Sequence, residues 1–126
     1  MELDGTTVLV VEDDDDTREV MRAMLELCGA KVLVAESAKT GLDAYLKDRP
    51  DAIVSDIAMP GEDGYWLVRE VARHRNTRDV PAVAVTAFAG QHPRDMALAA
   101  GFRAHLAKPV DPEVLCRTVV EVMAPN

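Results

Sequence analysis

The feature that most constrains this fold is a set of short aliphatic runs separated by helix-like segments. Four strong runs and a weaker fifth lie at Thr7–Val11, Lys31–Ala35, Ala52–Ser55, Ala82–Thr86 and Arg103–Leu106. Within them, apolar residues occupy both sides of the chain instead of alternating with polar ones. Such runs are typical of strands that are covered on both faces, as in a parallel sheet.

The segments between the runs have the periodicity of amphipathic helices. In the first of them, Val20, Met24 and Leu27 recur on one helical face. The last helix is predicted from about Pro112 to Met123, because Asp111 is a good N-cap and proline suits the first helical position. A strand followed by a helix, five times over, predicts a three-layer α/β sandwich with right-handed crossovers.

Charge and hydropathy exclude several classes of partner. The chain has 14 Lys and Arg against 22 Asp and Glu, a net charge of −8. Its largest arginine group (Arg69, Arg73, Arg75 and Arg78) is a small basic patch, so direct nucleic-acid or membrane binding by charge is disfavoured. The aliphatic run Val8–Val11 is far shorter than the roughly 20 residues that span a bilayer. We expect a single cytoplasmic domain over residues 1–126 with no output domain.

The two cysteines, Cys28 and Cys116, lie far apart in the sequence within apolar, helix-like contexts. They form no C-x-x-C pair, and no histidine stands at zinc-finger spacing. We therefore expect both to be buried, reduced thiols.

Polar residues follow the predicted strands. They are Glu12 and Asp13, Asp56, Thr86, and Lys108. Ligands of such sheets bind at the carboxyl ends of the strands, so these side chains should meet at one edge. Three carboxylates there would repel one another without a cation, and their hard oxygen atoms suit Mg²⁺. Asp56 as nucleophile, Lys108 as counter-charge and Thr86 as hydrogen-bond donor form a set suited to phosphoryl transfer.

Four motifs carry a resemblance to a known family. They are Val8-Leu9-Val10-Val11-Glu12-Asp13; Val54-Ser55-Asp56-Ile57-Ala58-Met59-Pro60-Gly61 with Asp63-Gly64; Val85-Thr86-Ala87; and Lys108-Pro109. Together they resemble the receiver domain of bacterial two-component response regulators, over essentially the whole chain. The resemblance implies a flavodoxin-like (βα)5 fold whose five parallel strands have the order 2-1-3-4-5.

The resemblance also implies a role for each site residue. Asp56 would be the phosphoacceptor, and Glu12 and Asp13 would bind Mg²⁺ together with Asp56 and the backbone carbonyl of Ala58. Lys108-Pro109 resembles the family's cis peptide. The donor would be a phosphohistidine on a sensor histidine kinase or a histidine phosphotransfer protein. Such a domain promotes only its own phosphorylation and dephosphorylation, and it signals through the surface of its fourth helix, last strand and fifth helix.

His105 departs from the family pattern, because receivers often carry a tyrosine or phenylalanine that swings inward on activation at this position. We hypothesise that His105 is a rotameric switch coupled to Thr86. The alternative is a plain surface or interface histidine.

Two other functions are compatible with this pattern. A Mg²⁺-dependent phosphohydrolase with an aspartyl nucleophile would also need carboxylates, Thr and Lys at strand ends. Such enzymes usually have a second acid two residues beyond the nucleophile and a cap domain that encloses the substrate. This chain has Ala58 at that position, and we expect no cap domain in it. The other alternative is a receiver-like interaction module that is not phosphorylated. Both a free-standing receiver and a module of a hybrid sensor histidine kinase fit the sequence.

Overall fold

Five parallel strands form the centre of the protein. A computed structural model describes residues 1–74 and 79–124. The strands are β1 (Thr7–Val11), β2 (Lys31–Ala35), β3 (Ala52–Asp56), β4 (Ala82–Thr86) and β5 (Ala104–Ala107). Their order in the sheet is β2-β1-β3-β4-β5, which confirms the predicted topology. β3 includes Asp56, one residue beyond the predicted end, and β5 begins one residue later than predicted.

Five helices cover the two faces of the sheet. They are α1 (Asp15–Leu27), α2 (Ala38–Asp48), α3 (Gly64–Arg73), α4 (Arg94–Ala100) and α5 (Pro112–Met123). Buried residues of α2, α3 and α4 belong to one apolar core, and those of α1 and α5 belong to a second core. The predicted three-layer α/β sandwich is therefore confirmed.

The central strands supply side chains to both cores. In β1, Leu9 and Val11 pack into the core beneath α2 and α3, whereas Val8 and Val10 pack into the core beneath α1 and α5. All four side chains are fully buried. Because each face of the strand needs apolar residues, the strand has a continuous aliphatic run instead of an alternating one.

Side-chain caps fix where the helices next to the strand ends begin. Asp14 precedes α1, and its carboxylate accepts hydrogen bonds from the backbone N–H and the hydroxyl of Thr17 at 2.8 and 2.7 Å. These two bonds hold the pKa of Asp14 below its usual value. Asp111 caps α5 by accepting from the N–H groups of Glu113 and Val114. Asp14 is thus engaged as a helix cap, although it is next to two candidate metal ligands.

Cys28 and Cys116 form a disulfide, so the prediction of two reduced thiols was wrong. Cys28 directly follows α1, and Cys116 lies on α5. The two helices pack against the same face of the sheet, and this brings the two Cα atoms within 6.6 Å despite a sequence separation of 88 residues. That Cα distance is within the range that a disulfide can bridge.

The structure bears on the predictions about membrane spanning and about the arginine group. No helix within residues 1–74 and 79–124 is long and apolar enough to cross a membrane. In the arginine group, Arg73 pairs with Glu70 at 2.9 Å, while Arg75 and Arg78 lie outside the described residues.

Candidate functional site

Three carboxylates meet at the carboxyl ends of two neighbouring strands. Glu12 and Asp13 directly follow β1, and Asp56 is the last residue of β3, which pairs with β1. One carboxylate oxygen from each residue lies within 4.8 Å of the others. Glu12 and Asp56 are 1% and 5% exposed, whereas Asp13 is exposed. The cluster is therefore a buried acidic pair with one carboxylate open to solvent.

Lys108 reaches this cluster from the loop after β5. Its Nζ donates a hydrogen bond to Glu12 Oε1 and another, at 3.3 Å, to Asp56 Oδ2. The Lys108–Pro109 peptide bond is cis. The ammonium group thus contacts both buried carboxylates, although the two residues stand 96 and 52 positions away in sequence.

Burial and charge shift the ionisation of Glu12 and Lys108. Burial raises the pKa of Glu12, and the negative charge of Asp56 adds to this effect. Burial by itself would lower the pKa of Lys108, but the hydrogen bond to Glu12 and the charges of Asp56 and Glu12 outweigh it and raise the pKa. Lys108 therefore stays protonated because it lies among carboxylates.

Backbone contacts orient the two buried carboxylates. Asp56 Oδ1 accepts a hydrogen bond from the Ile57 N–H at 2.8 Å, and Oδ2 accepts the bond from Lys108. Glu12 Oε2 accepts from the Asp14 N–H at 3.2 Å. Arg18, which the sequence did not single out, donates from Nη1 to the Glu12 carbonyl oxygen at 2.8 Å. Each carboxylate is therefore held by the chain segment that directly follows its strand.

The cluster has the donors that a magnesium ion needs. Three carboxylates against one ammonium leave two negative charges in the cluster. Hard oxygen ligands and the exposed position of Asp13, which leaves room for water, match the preference of Mg²⁺ for few carboxylates and several waters. Ala58 lies in the loop two residues beyond Asp56, and its role as a carbonyl ligand stays a prediction. The residues fit a Mg²⁺ site.

Thr86 ends β4, the strand that pairs with β3 on the side away from β1. Its side chain is fully buried, and its Oγ1 accepts a hydrogen bond from the Phe88 N–H at 2.9 Å. The hydroxyl of Thr86 therefore holds the first turn of the segment between β4 and α4, residues 87–93, which we call the β4–α4 loop.

His105 contacts the same loop. Its Nε2 lies 2.8 Å from the carbonyl oxygen of His92, and a carbonyl oxygen can only accept, so Nε2 is the donor. The ring of His92 packs edge-on against Tyr65 of α3, with centroids 5.5 Å apart, and its Nδ1 lies 3.2 Å from the Tyr65 hydroxyl. The side chain of His92 is half-buried. No local pattern marks this contact, because α3 and the loop meet only in the folded chain.

Replacing His105 with phenylalanine should loosen the β4–α4 loop. The variant keeps an aromatic ring but loses the donor to the His92 carbonyl, a bond worth about 1 kcal/mol. We expect amide hydrogen exchange in residues 88–92 to become roughly fivefold faster, as measured by exchange mass spectrometry. His105→Gln, which retains a donor, is the control and should exchange more slowly than the phenylalanine variant. Equal exchange in His105→Phe and the native protein would show that this bond does not hold the loop.

Comparison with known proteins places this arrangement in a family. The chain matches the family model described as the response regulator receiver domain over residues 8–120, which is most of its length. The chain belongs to this family. As a receiver domain it is a signalling module of two-component systems, in which such domains interact with histidine kinases.

Relatives of this receiver domain span most of its length. It is 46% identical over 112 residues to an uncharacterized 14.6 kDa protein of Leptolyngbya boryana, which covers 89% of this chain and 86% of that protein. It is 32% identical to protein PilH of Pseudomonas aeruginosa, over 93% of this chain and 97% of PilH. A solved structure with a TM-score of 0.85 and 34% identity covers 94% of this chain and 97% of that one. It is the receiver domain of a sensor histidine kinase from Pseudomonas aeruginosa, with a magnesium ion coordinated in its active site cleft.

Proposed function

We propose that this receiver domain accepts a phosphoryl group on Asp56 in a Mg²⁺-dependent reaction with a partner's phosphohistidine. The observation that carries the proposal is the environment of Asp56: a nearly buried carboxylate bonded to Lys108 and grouped with Glu12 and Asp13. The donor would be a sensor histidine kinase or a histidine phosphotransfer protein. The reaction would take place in the cytoplasm, where ATP charges the kinase.

The transfer needs one nucleophile and several neutralising groups. A carboxylate oxygen of Asp56 forms a bond to phosphorus while the bond between phosphorus and the donor imidazole nitrogen breaks, and that nitrogen keeps the electron pair. Lys108, at 3.3 Å from Asp56 Oδ2, offsets the negative charge on the transferred group. Glu12, Asp13, Asp56 and the Ala58 carbonyl would hold Mg²⁺, which neutralises phosphoryl oxygens when it is bound.

Phosphorylation would then alter the β4–α4 loop. The phosphoryl group carries a charge of about −1.5 to −2 and would lie near Thr86, the buried last residue of β4. A phosphoryl oxygen would attract the Thr86 hydroxyl, and the Phe88 N–H would lose its acceptor. The loop also holds His105 through the His92 carbonyl, so a shift of the loop would free His105 to change rotamer. We infer that the surface of α4, β5 and α5 changes as a result.

Two arrangements of the whole protein are compatible with its relatives. PilH is a protein of receiver length, since 97% of it is covered by the match. The solved receiver with magnesium comes from a sensor histidine kinase. A single domain over residues 1–126 without an output domain stays a prediction, as does the lack of direct contacts with nucleic acid or membrane.

A small phosphodonor tests the proposed function. The purified domain is incubated with acetyl phosphate and Mg²⁺, and its intact mass is measured. We expect one added phosphate per chain, which peptide mapping should locate on Asp56. When EDTA removes the metal before the donor is added, we expect no phosphate to be added. Steady hydrolysis of a phosphate ester, many molecules per chain, would instead favour the phosphohydrolase. Failure to label would favour the non-phosphorylated interaction module.

A further inference from the structure

The disulfide between Cys28 and Cys116 has two unequal ends. Cys116 is 5% exposed and packs among the side chains of the core that α1 and α5 share. Cys28 lies just beyond the end of α1, is partly buried, and follows Leu27, which is 73% exposed. Cys28 is therefore the more exposed of the two cysteines.

The protein can also accommodate the reduced pair. Cys116 Sγ lies 3.5 Å from the carbonyl oxygen of Met24, so a thiol there would have a hydrogen-bond acceptor without rearrangement. Cys28 keeps its backbone N–H bonded to Leu25 at 3.1 Å as the cap of α1. Both helices remain anchored by buried side chains such as Leu25 and Val119. Opening the disulfide therefore leaves neither a buried donor without a partner nor a helix without packing.

From these contacts we propose that Cys28 and Cys116 form a reversible redox site that exchanges with small thiols and disulfides of the glutathione class. Cys28 is the sulfur that reacts with the small molecule, and Cys116 is the buried thiol that resolves the mixed disulfide. This site is separate from phosphoryl acceptance, because the phosphoacceptor cluster comes from strand ends and the cysteines come from α1 and α5. In a reducing compartment such as the cytoplasm proposed above, disulfides are typically transient, catalytic or redox-sensing.

The exchange balances in two steps. The thiolate of one glutathione attacks Cys28 Sγ, forms a mixed disulfide there, and displaces Cys116 as a thiolate, which takes a proton from water. A second glutathione thiolate attacks the glutathione sulfur of that mixed disulfide and displaces Cys28 as a thiolate, which also takes a proton from water. Overall, two glutathione thiols become one glutathione disulfide, and their two electrons reduce the protein. The reverse reaction oxidises it.

The oxidised form should be the more stable one. The link joins residues 88 positions apart, so it restricts the unfolded chain over a loop that includes β2 to β5. The entropy that a disulfide removes from the unfolded chain grows with the length of the closed loop, so a loop of this length should give a large stabilisation. For a domain of this size, we expect the melting temperature of the oxidised protein to exceed that of the reduced protein by about 10 °C.

The test is a redox titration of the native protein in glutathione buffers, with acid quenching, thiol alkylation and intact-mass measurement. We expect two alkylated thiols under reducing conditions and none under oxidising conditions, with the chain monomeric in both. Two free thiols in a large excess of glutathione disulfide would overturn the proposal. So would a disulfide that stays closed in a large excess of glutathione, since it would then not exchange. Equal melting temperatures of the two forms would contradict the expected constraint on the unfolded chain.

Two matched variants test which sulfur reacts. With Cys116→Ala, Cys28 has no partner, so the glutathione adduct should accumulate on it. With Cys28→Ala, Cys116 stays buried and should gain adduct at least about tenfold more slowly. Circular dichroism checks that both variants are folded, and the titration of the native protein does not depend on either. Equal adduct formation in the two folded variants would contradict the assignment of Cys28 as the reactive end.

Discussion

Asp56→Asn should reduce phosphoryl uptake from a small donor by roughly 100-fold or more, to the background of the assay. The amide has no carboxylate oxygen to attack phosphorus, and it offers the cation one negative charge fewer. The fold should persist, because the asparagine oxygen can still accept the bond from the Ile57 N–H. Removing one charge from a crowded, buried acidic cluster should leave stability unchanged or higher. Intact-mass measurement after incubation with acetyl phosphate checks the uptake.

Asp13→Asn is the matched control for this prediction. It also removes one carboxylate from the cluster, but from its exposed member, and it leaves Asp56 in place. Its defect should therefore be one of metal affinity, so that labelling recovers when the Mg²⁺ concentration is raised. Labelling of Asp56→Asn should not recover at any Mg²⁺ concentration. Native-level labelling of Asp56→Asn, with phosphate mapped elsewhere, would refute Asp56 as the phosphoacceptor.

Gly64→Ala should destabilise the domain by about 2 to 3 kcal/mol. A Cβ at Gly64 would lie 2.4 Å from the Asp56 carbonyl oxygen and 2.9 Å from the Ile57 Cα, so it would meet backbone atoms that cannot simply rotate away. Gly64 also donates its N–H to the Ile57 carbonyl at 2.8 Å. The added methyl group would push the start of α3 away from the end of β3, and phosphoryl uptake should fall as Asp56 shifts.

Urea unfolding measures this loss of stability, with Gly90→Ala as the control. A Cβ at Gly90 would have no heavy atom within 4 Å, so that variant should stay within about 0.5 kcal/mol of the native protein. If Gly64→Ala were as stable as Gly90→Ala, the close approach of α3 to the end of β3 would not be a constraint on the fold.

The strands and helices could be predicted because the patterns that indicate them lie within single short segments of the sequence. Aliphatic runs such as Thr7–Val11 and Ala82–Thr86 report burial on both faces, and the helical periodicity between them reports the crossovers. The strand order followed from the family resemblance, not from periodicity. The small errors concern the ends of β3 and β5, where one hydrogen bond more or fewer decides the boundary.

The site was predictable for a related reason. In a parallel sheet, the residues at the carboxyl ends of the strands lie at the same edge, so Glu12, Asp13, Asp56 and Lys108 could be grouped before their contacts were known. The need for Gly64 could not be derived in this way. It depends on the distance between the start of α3 and the backbone of Asp56, which only the folded chain defines.

The sequence by itself determined the class of fold, the strand edge that carries the polar residues, and the identity of those residues. The tertiary structure decided the pairing of Cys28 with Cys116, the contact of His92 with Tyr65, and the bond between His105 and the β4–α4 loop. The physical reason is the range of each interaction. Hydrophobic periodicity acts within one element, whereas these contacts depend on how separate elements pack on the sheet, and no residue's immediate neighbours in sequence encode that packing.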